Sequence, residues 1–363
     1  MPEPLRVAVV GCGNISGRYG ETMEPYESLL IVGATDLDPA LSAAFVDRFG
    51  GVAFSSLDEL LADPGVDAVV NLTSHVAHAD VTARALEAGK HVHTEKPLAG
   101  SFADARALAE LARAKGVRLS CSPITFMGEA QEAAWQAIAS GAIGTVRLVY
   151  AEVNWGRIET WHPRPAPFYA IGPLVDVGVY PLTILTAIFG PARSVTAYGR
   201  VLLPDRTTSD GGAFRVEAPD FVVAAIELED GPLVRLTTNF YVGHHSQQRG
   251  IEFHGDTGSL YLESWQHFDS KVEIAEFEGS YEPLPVPAPY PGTDWGRAVA
   301  ELADALAAGR PHRPSAEHAA HVVEILDAIA ASVASGGAVP VTSSFEALSP
   351  PSPRGSELSP QAG

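Results

Sequence analysis

An alternation over the first ~120 residues constrains the fold most. Short apolar runs are each followed by a helical pattern or a turn. Leu5-Arg-Val-Ala-Val-Val10 is nearly continuous and apolar, which suits a strand buried on both faces of a parallel sheet. Residues 29–35, 66–72, 90–93 and 117–121 read as further strands. Helical patterns intervene before residue 24, from 58, over 79–88 and over 102–115. Strand, helix and strand in this order predict right-handed βαβ units and a doubly wound parallel sheet.

The loop after the first strand is Gly11-Cys12-Gly13-Asn14-Ile15-Ser16. Gly11 permits a tight turn. Gly13 has no side chain, so a pyrophosphate can approach the backbone. Asn14 and Ile15 lead into a helix whose N-terminus offers N–H groups and a positive dipole end. Ser16 stands at the third glycine position and is small enough for close packing. The second strand ends at Asp36, about 20 residues on, where a carboxylate can accept from ribose hydroxyls. It would repel a 2′-phosphate, and Leu37 rather than arginine follows, so the expected cofactor is NAD over NADP. Asp38 before Pro39 is the better helix cap. Thr73, Ser74, His78, Glu95 and Lys96 follow later strands and complete the candidate cofactor edge.

Past residue 122 the pattern changes. A helix over 128–140 precedes an alternating strand over 145–155 and an aromatic, polar loop over 154–172. Strands over 194–203, 220–228, 234–240, 249–254, 259–262 and 271–274 follow with no helices between them. They imply a mostly antiparallel mixed sheet with one open face. Residues 283–291 form a proline-rich extended connector, and helices span 295–308 and 317–335. The expected architecture is an α/β domain over 1–122, an α+β domain over 123–340, and a disordered Ser/Pro-rich tail over 343–363.

Composition excludes several functions. A net charge of −20 repels phosphate backbones, so no nucleic-acid partner is expected. Cys12 and Cys121 are the only cysteines, too few for a disulfide scaffold, and a reducing cytoplasm fits. No signal peptide is visible and no apolar run reads as long enough to span a bilayer, so no membrane partner is expected. His75/His78, His91/His93 and His318/His321 are close pairs without a third ligand, so no metal site is expected.

One stretch joins these readings. Val69-Val70-Asn71-Leu72-Thr73 leads through a helix to Lys90-His91-Val92-His93-Thr94-Glu95-Lys96-Pro97-Leu98. With the glycine loop, it resembles the glucose–fructose oxidoreductase / inositol dehydrogenase (Gfo/Idh/MocA) family. The resemblance runs from Val7 to about Ser335 and implies a Rossmann domain followed by a substrate domain. It implies that Lys96 is catalytic and works with an Asp-x-Gly-x-His segment, here Asp176-Val-Gly178-Val-Tyr180. Tyr180 stands where many members carry histidine, as in the glucose–fructose oxidoreductase and dihydrodiol or xylose dehydrogenase branches.

Hydride transfer from a secondary alcohol needs a nicotinamide, a proton acceptor and a charge that favours the alkoxide. Lys96 suits the last. A free tyrosine ionises near pH ~10, and a neighbouring ammonium lowers that, so Tyr180 is a usable acid/base with Asp176 orienting, or the reverse. Trp155, Arg157, Trp161 and His162 precede this segment and offer ring faces and donors, as a sugar pocket does. The expected activity is NAD-dependent oxidation of a CH–OH group on a sugar, cyclitol or related polyol. An NAD-recycling glycosidase or epimerase and a non-catalytic NAD/sugar sensor stay open. Residues 145–153, 222–226 and 233–237 place apolar groups on both sheet faces, which predicts a homodimer or homotetramer through the second-domain sheet. The resembled family assembles the same way.

Overall fold

The computed structural model describes residues 3–243 and 245–351. They divide into two compact units. The first takes residues 3–124 and Asp294–Val323, the second Thr125–Thr293 and Glu324–Pro351.

In the first unit, strands β1 (Leu5–Val10), β2 (Leu29–Thr35), β3 (Val52–Ala53), β4 (Ala68–Asn71), β5 (His91–Thr94) and β6 (Leu119–Cys121) form one parallel sheet in the order β3-β2-β1-β4-β5-β6. Its helices are α1 (Ser16–Met23), α2 (Pro39–Phe49), α3 (Leu57–Ala62), α4 (His78–Glu87) and α5 (Phe102–Lys115). Strand β1 shows why its sequence is continuously apolar. Val7 and Val9 enter one core with Tyr19 and Met23, while Ala8 and Val10 enter the other with Val81 and Leu86. Both faces are covered from Val7 to Val10, so those positions leave no place for a polar residue, while Arg6 at the half-buried start of the strand pairs with Asp67. Asp38 caps α2 by accepting from Ala40 N at 3.0 Å, with Pro39 in the first turn. Ser56 and Ser101 cap α3 and α5, and Gly116 closes α5 at φ 68°.

The second unit holds α6 (Glu129–Ala139), α7 (Ala166–Pro173) and α8 (Val179–Phe189). Its long strands are β7 (Val146–Asn154), β8 (Ala192–Arg200), β11 (Phe221–Leu228), β12 (Leu233–Asn239), β13 (Gly250–Gly255), β14 (Gly258–Leu262) and β15 (Val272–Glu276). The short strands β9 (Asp205–Thr207) and β10 (Ala213–Arg215) pair with each other. Strands β16 (Glu282–Pro283) and β17 (Val339–Pro340) edge the main sheet, whose order is β16-β15-β14-β13-β7-β12-β11-β8-β17. Only the β7–β12 pairing is parallel. Helix α9 (Arg297–Ala307) and the start of α10 (Ala316–Ser335) return to the first unit. There Gly296 lies so close to α1 that a Cβ would stand 2.5 Å from Thr22 O.

Several local expectations change. The segment expected as a loop over 154–172 carries a 3-10 turn at Ile158–Thr160 and helix α7. The β9/β10 hairpin was not legible, because each strand has only three residues. Asp176 lies in a π-helical turn, Leu174–Gly178, that leads into α8. Residues 166–189 are also long and apolar enough to cross a bilayer by length and composition, contrary to the reading above. Most of that window is buried inside the structure, and Gly172 breaks its helical geometry at φ 79°. Residues 343–351 form no helix or strand, yet Glu324 accepts from Ser343 N and Gln136 donates to Pro351 O. The rest of the expected disordered tail, 352–363, lies outside the described residues.

Candidate active site

The glycine loop is fixed by its neighbours. Gly11 has φ 92°, and a Cβ there would stand 2.8 Å from the backbone of Leu72 and Thr73. Only glycine avoids both the strained conformation and the clash. Around Gly13 a Cβ would meet nothing within 4 Å, so that side of the loop is open to a ligand. Asn14 is exposed and Ile15 half-buried, and no side chain caps the N-terminus of α1. Ser16, in place of the third glycine, turns its hydroxyl back to Gly13 O at 2.8 Å and is buried. Asp36, at the end of β2, accepts from Cys12 N at 2.6 Å through one oxygen and from Asp38 N at 2.8 Å through the other. Loop and carboxylate are therefore one hydrogen-bonded unit. The Cys12 thiol, which burial and then the Asp36 charge push up to about 12, stays protonated and unreactive.

The ends of β4 and β5 add the next groups. Thr73 is half-buried and Ser74 exposed. Asn71, fully buried, organises this edge. Its Nδ2 donates to His78 O and Thr82 Oγ1 at 3.1 Å, and its Oδ1 accepts from Thr73 Oγ1 at 2.7 Å. The Asn71 carbonyl accepts from Glu95 N at 2.9 Å. His78 is 1% exposed, with its ring nitrogens 2.9 Å from Thr73 O and 3.0 Å from Pro97 O. Its ring thus ties together the segments that follow the two strands, while the sequence reading expected it to contact the cofactor. Glu95 is also buried: Tyr19 donates to its Oε1 at 2.6 Å and Lys96 N to its Oε2 at 3.2 Å. Lys96 is half-buried and precedes a cis Pro97. Within this unit Gly11, Gly13, Asp36, Thr73 and Lys96 all follow C-terminal strand ends of one sheet, where open α/β sheets take their ligands.

In the second unit the Asp176–Tyr180 segment spans the π turn and the first turn of α8. Gly178 is closely packed: a Cβ would stand 3.0 Å from Thr238 Cγ2, which would have to shift by a few tenths of an ångström. Asp176 is half-buried, and Tyr180 is 5% exposed with its ring 5.2 Å from that of Trp265. Trp155 packs on the same indole at 5.7 Å, so Trp155 and Tyr180 share Trp265 as a platform. Arg157 instead lies 4.4 Å over the Tyr241 ring, and Trp161 and His162 cluster edge-on with Phe168.

That aromatic segment is anchored by a buried ion network. Arg206, fully buried, donates to Glu159 at 2.8 Å, to Tyr169 Oη at 2.8 Å and to Asp220. Tyr169 donates to Glu159, and burial, then that bond, pushes its phenol up. Arg206 lies in β9 and Asp220 just before β11, both far along the chain, so no local signal marks them. Asn71 is a polar group that ends an apolar strand, a signal the sequence did carry, whereas Tyr19 sits among the polar residues of α1 and carries none. Among the described residues no three His, Cys, Asp or Glu side chains converge as a metal site. His318 and His321 are buried instead.

On the uncovered sheet face, β7 presents Leu148, Tyr150 and Glu152, because Val149, Ala151 and Val153 fall on the covered side. Glu152 pairs with Arg235 at 2.6 Å, and the guanidinium lies 3.9 Å over Tyr150. Leu148, Val223, Ala225 and Leu233 supply the apolar part of that face. It is more polar than the alternation alone implied.

Comparison with known proteins follows the same division. A family model for an oxidoreductase family with an NAD-binding Rossmann fold matches residues 5–122, and one for a GFO/IDH/MocA C-terminal domain matches residues 132–261. The dTDP-3,4-didehydro-2,6-dideoxy-alpha-D-glucose 3-reductase of Streptomyces violaceoruber is 34% identical over 232 residues, which cover 61% of this chain and 65% of that protein. The match therefore spans just under two thirds of that relative. A levoglucosan dehydrogenase in complex with NADH and L-sorbose matches in fold with a TM-score of 0.78 at 21% identity, over 93% of this chain and 99% of that one. A 3-ketoreductase from Actinomadura kijaniata in complex with NADP matches with a TM-score of 0.72 at 24% identity, over 91% and 97%. The two family matches cover most of the chain, which belongs to the Gfo/Idh/MocA oxidoreductase family.

Proposed function

We propose that the protein is an NAD-linked oxidoreductase that moves a hydride between the cofactor and a secondary alcohol, or the matching ketone, of a sugar, cyclitol or related polyol. One observation carries this reading: Asp36 is bonded to the glycine loop, and Lys96 follows a strand end of the same sheet. The residues fit a dinucleotide. Gly13 leaves room for the pyrophosphate, and the Asp36 oxygens keep lone pairs for ribose hydroxyls. Bound NAD would supply the hydride acceptor. Thr73 and Ser74 would border it, while His78 and Glu95 would hold the edge in shape.

The choice of NAD over NADP rests on Asp36, since a carboxylate facing a 2′-phosphate is repulsive. Lys96 would stabilise negative charge on the reacting oxygen, Tyr180 would carry its proton, and Asp176 would orient it. Trp155, Arg157, Trp161 and His162 would face the sugar, as stacking surfaces and donors do. The sugar-acting relative favours such a substrate. The uncovered sheet face, with its apolar groups, supports a homo-oligomer, and two buried free thiols suit a reducing compartment. A panel of sugars and polyols, each with NAD and read by NADH absorbance, tests the reading. Net NADH with at least one of them is the expected result.

A further inference from the structure

We infer that Tyr19 is a positioning residue: a one-way chain of hydrogen bonds from Ser120 through His93 and Tyr19 orients Glu95, and through it the backbone of Lys96. The inference rests on the reading of Lys96 given above. Tyr19 lies in α1, the helix that follows the glycine loop, and is fully buried between His93 and Trp295. Its hydroxyl is 2.6 Å from Glu95 Oε1, 3.0 Å from Ser122 Oγ and 3.2 Å from His93 Nε2. His93 Nδ1 is 2.9 Å from Ser120 Oγ.

The direction of the chain follows from its ends. An ionised carboxylate only accepts, so the single phenolic proton of Tyr19 goes to Glu95. The Tyr19 oxygen is then an acceptor toward His93 and Ser122. Burial pushes His93 down to about 3, so its ring is neutral and carries one N–H. Nε2 lies 3.2 Å from Tyr19 Oη and 3.3 Å from Ser122 Oγ; bare, it would set its lone pair against that of the Tyr19 oxygen, so the ring proton is assigned to Nε2, where Tyr19 and Ser122 share it. Nδ1 then accepts from Ser120. Every link donates toward Glu95, whose other oxygen accepts from Lys96 N. The chain joins α1, β5 and the end of β6, so the glycine-loop helix and the lysine are held by one buried network. Charge-assisted bonds of this kind are about twice as strong as neutral ones and are not replaced by water in a sealed interior.

Tyr19→Phe keeps the packed ring and removes only the hydroxyl. In the full chain, NMR should show the Lys96 amide shifted and exchanging with solvent at least ~10-fold faster. A low-field hydroxyl proton should vanish in Tyr19→Phe and move upfield in Glu95→Gln, since a neutral amide is the weaker acceptor. A Lys96 amide unchanged in Tyr19→Phe, or a hydroxyl proton indifferent to Glu95→Gln, would overturn the inference. With an active substrate, kcat of Tyr19→Phe should fall about 10-fold while KM for NAD stays within about twofold. A kcat unaltered in that variant would overturn it too. Wild-type protein that turns over no substrate would count against the functional reading instead, and the two NMR readouts would still decide the network.

Discussion

Asp36 shows how much one side chain can decide. Its two oxygens are bonded to Cys12 N and Asp38 N, so it cannot swing aside to admit a phosphate without losing both. Titrating both cofactors should therefore show tighter NAD binding, and Asp36→Ser should narrow the gap about 10-fold or more, because it removes a fixed charge and keeps a small polar group. Equal or tighter NADP binding by the wild type would contradict this. Gly11, Gly13 and Asp36 were legible as candidates because each answers a local need of backbone or charge, while the role expected of Lys96 came with the family pattern. Tyr180 was legible only through the family pattern. Nothing local distinguishes it from a core aromatic, and in the structure it does pack on Trp265. His78 was expected at the cofactor edge, and its burial could not be read from a helix start.

At the scale of elements, what the sequence hid is what depends on distant partners. Strands β1, β4, β5 and β6 announce themselves because both faces are buried, whereas the two exposed residues of β3 give no such signal and that strand was not expected. The aromatic segment before α7 does not announce itself either, because its order comes from Arg206 and Asp220, far along the chain. Arg206→Met should remove the guanidinium that pairs with both Glu159 and Asp220 and cost about 3–5 kcal/mol in denaturant unfolding. A cost under about 1 kcal/mol would show that the segment orders without the network. In the first unit, His318 on α10 is buried, and desolvation, then His321, pushes it down to about 3 from an ordinary 6.5. The folded value lies below the unfolded one, so its contribution is whole above about 6.5 and is lost as pH falls toward 3. Between pH 7 and 5 this one residue should remove about 2 kcal/mol of stability. Denaturant melts at both pH values should show a smaller loss in His318→Gln. An equal loss would mean the ring is protonated in the folded state.

For the whole molecule, the proposed oligomer is tested by light scattering at micromolar concentration. The expected mass is at least twice the 38.2 kDa of one chain, and a monomer would sink the assignment of the uncovered sheet face. The mixed character of that face, with Leu148 and Leu233 beside the Glu152–Arg235 pair, was invisible until strand register was known. A slip of one residue would exchange its polar and apolar sides. NAD-linked hydride transfer that depends on Lys96 is tested by following NADH with NAD and the best substrate of the panel. Lys96→Ala should lower kcat about 100-fold or more with NAD affinity within a few-fold, since the ammonium acts on charge that develops in the reaction, and Tyr180→Phe should also lower it. NADH formation by Lys96→Ala at the wild-type rate, or none by the wild type with any sugar or polyol, would contradict the account.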